Sequence, residues 1–301
     1  MPTSNYADAV RETIAAEMRA QSRMIYFDAG GASDSELLAT LAQQVGADRI
    51  RSGDSTPLSA LLGAAAGAAQ MGSPVLVQGG MALLRALTPE FLAASGSIRA
   101  PLVIRVLYDG SEGGRRGSAL PVALPENGVL AAPSTPADAA GLLRSALKQN
   151  QPALFIESSA LATLRGSVPA RVAMAPGSGA IRREGRDVTL VTAGPLTGEI
   201  VAAVEPLANA PSPLQVEVVD LRTLQPLDTE IVAKSLQKTG RLLLCPQSPL
   251  LGGFLGVLQR AIQERAFDEL DAPIRTFDGV SERADGWREA LAKALHALTT
   301  E

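Results

Sequence analysis

The stretch VVDLRTLQPLDTEIVAKSLQKTGRLLL, Val218 to Leu244, reads as strand, helix and strand. Its first apolar run belongs to LQVEVVDLR, its helix is LDTEIVAKSLQKTG, and RLLLCPQ closes the unit. Two apolar runs joined through a helical pattern predict strands that run parallel, because parallel neighbours need a crossover of about a dozen residues or more. Arg222, between Asp220 and the turn at Pro226, is expected to be a structural ion-pair partner.

The same alternation extends in both directions. Upstream lie a strand at DVTLVTAG and a helix at LTGEIVAAVEPLA; downstream come a helix at GGFLGVLQRAIQERAF, a short strand near PIRTFDG and an amphipathic closing helix, DGWREALAKALHAL. In the N-terminal half a helix is expected from Tyr6 to Arg19, where Val10, Ile14, Ala15 and Met18 recur at helical spacing. A strand follows at MIYFDAG, then a helix with Ser33 or Asp34 as N-cap and Gly46 at its stop. A helix through Gly63 and Gly67, a strand at PVLVQGG, one helix through ALLRALTPEFLAAS and a strand at APLVIRVLYDG continue the series. Thr135 and Pro136 mark the cap and first position of a later helix, and QPALFIES closes the half as a strand. The expected fold class is therefore α/β, with two parallel-sheet domains at residues 1–165 and 187–301 and a Pro-, Gly- and Arg-containing linker at 166–186.

The totals exclude several functions. With 27 basic and 31 acidic residues the net charge is −4, which gives no electrostatic case for nucleic acid or an anionic membrane. A single cysteine, Cys245, leaves no internal disulfide framework and reads as a small buried hydrophobe in a reducing compartment. The N-terminal residues lack an apolar core of the secretory type, and Pro74 and glycines break the long uncharged run from Ser55 to Met81. That run is expected to be a helix buried in protein followed by a buried strand, and the chain to be cytoplasmic. Gly63 and Gly67 fit close helix packing better than a phosphate loop. The loop at Gly110 to Gly117, with Arg115 and Arg116, fits a solvated segment better than an anion site. No metal-ligand cluster stands out, and the lone histidine, His296, falls at surface or interface spacing in the last helix.

The block at Val218 to Leu244 resembles the C-terminal domain of the β subunits of 2-oxoacid dehydrogenase first components, of pyruvate and branched-chain type, which belong with the transketolases. Asp187 to Gly194, Gly252 to Ile262, Ala266 to Gly279, Ala132 to Leu143 and Ala100 to Arg105 extend the resemblance over nearly the whole chain. It implies a pyrimidine-binding domain followed by a transketolase C-terminal-like domain. It also implies thiamine diphosphate with Mg²⁺, shared with an α-type subunit that holds the diphosphate and the metal, in a heterotetramer containing paired β subunits. The α-side Gly-Asp-Gly motif is missing here.

The resemblance further implies a carboxylate at the end of Pro-Ile-Ser-Glu, hydrogen-bonded to the cofactor's pyrimidine. The matching residues are Pro57, Leu58, Ser59 and Ala60, so a methyl group stands where the acid is expected. Leu58, Ser59 and Ala60 would lie against the pyrimidine, with Gly80, Met81 and Leu83 on its other side in place of the family's aromatic pair. The family's histidine segment gives way to Leu120-Pro121, and its His-Glu to Pro246-Gln247. Asp54 and Glu112 are the acids nearest in sequence to a replacement, without a helix to fix either. No catalytic residue is assigned, and the chain is expected to be inactive alone. Three functions follow: the β component of a thiamine diphosphate enzyme, a non-catalytic scaffold or regulatory subunit of such a complex, or a small-molecule binder reusing the cleft.

Overall fold

The computed structural model describes residues 3–32, 34–53, 56–109, 124–171, 173–246, 254–278 and 286–300. They divide into two compact units with the boundary between Pro176 and Gly177.

The first unit opens with β1 (Thr3–Asn5) and α1 (Tyr6–Ala20), and continues through β2 (Ile25–Asp28), α2 (Ser35–Val45), β3 (Ile50–Ser52), α3 (Leu58–Gln70) and β4 (Val75–Gly79). Then come α4 (Met81–Arg85), α5 (Pro89–Ser95), β5 (Leu102–Tyr108), β6 (Val129–Ala131), α6 (Pro136–Ala146), β7 (Pro152–Ser158) and β8 (Arg165–Ser167). Its main sheet runs in the order β6-β7-β5-β4-β2-β3, and every one of these pairs is parallel. Alternate strand residues face opposite sides: Tyr26, Leu76, Val103 and Phe155 meet α1, α2 and α6 in one continuous core.

Caps set the helix ends. Asp34 caps α2 by accepting from Leu37 N–H at 3.0 Å, Ser33 lies outside the described residues, and Thr135 caps α6 with Pro136 at its first position. The single helix expected through ALLRALTPEFLAAS is two, because Thr88 accepts from Phe91 N–H and Pro89 starts a new helix at α5. The α3 helix also departs from the expected burial. Leu61, Leu62, Ala65 and Ala69 face the core, but Ala60, Gly63, Ala64 and Gly67 are exposed, and a Cβ at either glycine would meet no atom within 4 Å. A helix of small uncharged residues carries no polar stripe to reveal its outer face.

The second unit contains β9 (Ala180–Arg183), β10 (Val188–Thr192), α7 (Thr197–Val204), β11 (Val216–Asp220), β12 (Thr223–Gln225), α8 (Thr229–Thr239), β13 (Leu242–Leu244), α9 (Phe254–Ala266), β14 (Arg275–Thr276) and α10 (Trp287–Leu298). Its sheet order is β14-β13-β10-β11-β9, parallel throughout except for β9, which runs antiparallel to β11. The segment expected as a linker therefore carries two strands: β8, paired with β1, and β9. Both are short edge strands that carry arginine, without the apolar run that marks a central strand.

The block from Val218 to Leu244 holds β9 in place. Asp220, fully buried at the end of β11, takes Arg182 of β9 at 2.8 Å, and its other oxygen accepts from Arg222 N–H. Arg222 sits at φ 59° and points its guanidinium at the carbonyls of Ser178 and Gly179. Asp228 caps α8 and also accepts from Gly179 N–H at 2.7 Å, while Thr223 accepts from Gly177 N–H. Arg182 is thus the ion-pair partner of Asp220, and Arg222 works mainly through carbonyls.

Glu217, wholly buried on β11, accepts from Ser235 Oγ at 2.5 Å, from Gly185 N–H at 3.3 Å and from Lys238. Burial pushes its carboxyl upward, but these three contacts hold it below its ordinary value of 4.5. The stability it contributes is whole above that value and drains away as pH falls through the lower folded value. Between about pH 5 and about pH 3, the urea midpoint followed by Trp287 fluorescence should fall further in the native sequence than in Glu217→Gln. Cys245 is also buried, which pushes its thiol up to about 12. It should resist thiol reagents at about pH 8 until the protein is unfolded in urea.

Candidate functional site

In the first unit the chain leaves β2 toward β3 at one edge and leaves β4 toward β5 in the other direction, although β2 and β4 are neighbours. Such a reversal opens a crevice at the carboxyl ends of the two strands, the usual ligand position in open parallel sheets. Two glycine-containing loops meet there. Gly30 and Gly31 both sit at φ 73°, Gly80 N–H donates to Gly30 O at 3.1 Å, and a Cβ at Gly80 would come within 2.9 Å of Gly31 O. Only a glycine at 80 allows that approach without displacing the backbone.

Beside this contact, on the side of α1 and α2, lies a cleft of about 620 Å³. Its polar lining centres on Arg105 of β5. The guanidinium binds Glu157 of β7 through Nε at 2.7 Å and Nη2 at 3.0 Å, and reaches Gln78 Oε1 through Nη1 at 2.6 Å. Tyr6 donates its hydroxyl to Glu157 at 2.6 Å, and Gln78 donates its amide to Ala32 O at 3.2 Å. All four side chains are buried, so β4, β5 and β7 each deliver one member of a polar layer under the cleft and α1 delivers the fourth. A second cluster closes the rim, where Arg11 binds Asp34 at 2.8 Å and Glu36 at 2.6 Å.

Neither cluster is tuned for proton transfer at neutral pH. Burial first, and then the neighbouring Glu157 carboxylate, push the Tyr6 hydroxyl well above its usual range. Burial alone would lower Arg105, but the Glu157 carboxylate more than offsets it and holds the guanidinium charged. Burial acts to raise Asp34, yet the hydrogen bonds from Arg11 and Leu37 N–H keep its carboxyl below the ordinary range and ionised. Tyr6, Arg105 and Asp34 are therefore held in the protonation states that suit binding and orienting.

Of the residues expected from sequence to hold a cofactor, only Gly80 lines this cleft. Leu58, Ser59 and Ala60 form the first turn of α3, with Leu58 half-buried and the other two exposed. Met81 and Leu83 point into the core, where Leu83 packs against Gly79. No residue from Leu58 to Gln70 carries a carboxylate, so the whole of α3 lacks the expected acid, not Ala60 alone. Asp54, Glu112, Arg115, Arg116, the Leu120-Pro121 segment and Gln247 lie outside the described residues. His296 is half-buried on α10. Among the described residues no group of three metal-ligating side chains is placed to hold an ion, and no helix is long and apolar enough to cross a membrane. Arg105, Glu157 and Gln78 escaped the sequence reading, although Arg105 and Glu157 each stand as the one charge within an apolar strand. A charge buried in a parallel sheet needs a partner, and that was the available signal.

Residues 177–297 match the family model of the transketolase C-terminal domain. The β subunit of 2-oxoisovalerate dehydrogenase from Bacillus subtilis (strain 168) is 30% identical over 299 residues, which covers 93% of this chain and 90% of that one. The chain belongs to the family of 2-oxoacid dehydrogenase β subunits. Another member of this family, the pyruvate dehydrogenase E1 β subunit of Rhizobium meliloti (strain 1021), is 30% identical over 308 residues, 93% of this chain and 64% of its own. Its counterpart from Chlorokybus atmophyticus reaches 39% identity, over 140 residues that make up 46% of this chain and 41% of that one. Among solved structures, a split-gene transketolase described as an inactive β4 tetramer superposes with a TM-score of 0.74 at 18% identity, over 97% of both chains. The 2-oxoglutarate:ferredoxin oxidoreductase of Magnetococcus marinus gives 0.66 at 12% identity, over 99% of this chain and 65% of that one. At such identities these two speak for the fold alone.

Proposed function

We propose that this chain is the β-type component of a heteromeric assembly in which an α-type subunit holds the diphosphate and Mg²⁺ of thiamine diphosphate, and that its own part is to build and regulate the complex. The single observation behind this reading is α3, which carries no carboxylate from Leu58 to Gln70 and no acid in its first turn. The residues present do not fit activation of the cofactor: a methyl group at Ala60 neither donates nor accepts a proton, and Met81 and Leu83 are buried away from any ring on that side. No catalytic step is therefore assigned to this chain.

A second reading, an active component whose partner supplies the acid, draws on the near full-length match to the Bacillus subtilis subunit. The two readings part in one experiment. The chain and its Ala60→Glu variant are each co-purified with the α-type subunit they capture from their own cell lysate, and 2-oxo acid decarboxylation is assayed with added thiamine diphosphate and Mg²⁺. The scaffold reading expects an assembled complex without turnover, and no gain in the variant, because the wall at Gly80 and Leu83 is altered as well. Ala60 is exposed, so the new carboxylate adds an anion to a helix N-terminus and should leave stability within about 1 kcal/mol of the starting value. Turnover by the native complex would establish the second reading.

A further inference from the structure

The outer face of α9 in the second unit carries a pattern that the core does not require. Leu258, Ile262 and Ala266 turn inward and are buried, whereas Val257, Arg260, Glu264 and Phe267 stand exposed. Val257 and Phe267 are two of the five large apolar side chains exposed among the described residues, at 62% and 68%. Arg260 donates to Glu264 at 2.8 Å between them, with both side chains mostly in solvent. Phe267 opens the short turn that follows α9 and continues the spacing. The four positions run i, i+3, i+7 and i+10, the seam spacing of a coiled coil. Gly256 and Ala261 flank the seam and leave room for a second helix, while Arg265 is turned aside to Glu230 of α8.

Read along the helix the seam is apolar, basic, acidic, apolar, which is its own complement when reversed. In two antiparallel copies crossing at about 20°, the seam pairs about residue 262. Val257 then meets Phe267 of the second copy, and Arg260 meets its Glu264. Each pair occurs twice, as a two-fold axis requires. A parallel pairing would set Arg260 against Arg260 and Glu264 against Glu264, so charge selects the antiparallel one. We propose that the outer face of α9 is a self-association surface on which a second copy of this chain docks through Val257, Arg260, Glu264 and Phe267. The contact rests on the assembly reading for its use, but it needs neither the α-type subunit nor thiamine diphosphate. A single pair of helices makes a small interface, so the pairing should depend on concentration and weaken with salt.

The test is sedimentation velocity of the full chain alone across the micromolar range, where a dimer should grow in with concentration. Arg260→Glu sets like charges against each other in both ionic layers and should raise the dissociation constant at least about ten-fold. Arg260→Glu combined with Glu264→Arg exchanges the two charges, restores opposite pairing and should return the constant to near its native value. Both side chains are exposed, so the circular dichroism spectrum should be retained in each variant. A chain that stays monomeric, a dimer indifferent to Arg260→Glu, or a folded double variant that does not recover would each overturn the proposal. If the chain stays monomeric and Arg260→Glu instead loses the α-type subunit captured from the lysate, the face belongs to that partner. That result overturns self-pairing and leaves the assembly reading standing.

Discussion

Glu157→Ala is expected to lower the stability of the first unit by about 3–5 kcal/mol, read as a fall in the urea midpoint by circular dichroism. The size follows from what the substitution leaves behind. Arg105 is almost fully buried and always charged, and Glu157 supplies both contacts that neutralise it, at 2.7 and 3.0 Å. Without the carboxylate, the guanidinium keeps only Gln78 among its present partners, and the Tyr6 hydroxyl loses its acceptor as well. A loss of that size is about a fifth or more of the whole stability of an ordinary domain. Glu17 on α1 provides the contrast. It binds Arg144 and Lys148, each at 3.2 Å, and Lys148 is 55% exposed, so Glu17→Ala leaves at least one of its two cations able to turn toward water. Its expected cost is about 1–2 kcal/mol.

Asp220→Ala should have the largest effect in the second unit, about 2–3 kcal/mol, followed through the single tryptophan at Trp287. Asp220 is fully buried and joins three things: Arg182 on β9, the left-handed backbone of Arg222, and the end of β11. Removing it takes this carboxylate from Arg182, whose side chain is 20% exposed and already in reach of water, so the expected loss is smaller than at Glu157. It also releases the turn that aims Arg222 at Ser178 and Gly179. Asp220→Asn keeps an acceptor for Arg222 N–H and should lose less than the alanine variant.

The architecture was legible because parallel sheets write themselves in apolar runs spaced by helices. LFIE in β7 and VVD in β11 are such runs, and the caps at Thr135 and Asp34 sit where the sequence sets them. What escaped was long-range or one-sided. The strand β9 has no apolar run of its own and exists because Asp220, Asp228 and Thr223 hold its approach from some 40 residues away. Which face of α3 is exposed could not be read from a helix of Leu, Ala and Gly. The absence of any acid from Leu58 to Gln70 was plain in the sequence, but the layer of Tyr6, Gln78, Arg105 and Glu157 was not, since its members come from α1, β4, β5 and β7 and meet only once the sheet is assembled.

The most direct test of a β-type subunit that does not activate its cofactor is the rate of deuterium exchange at the reactive thiazolium carbon of thiamine diphosphate. It would be measured in the assembled complex of this chain with its α-type subunit and Mg²⁺. A rate no faster than that of the free cofactor is what the carboxylate-free α3 helix predicts. Acceleration by orders of magnitude would contradict it, and would mean that a group outside Leu58 to Gln70 performs the missing proton transfer.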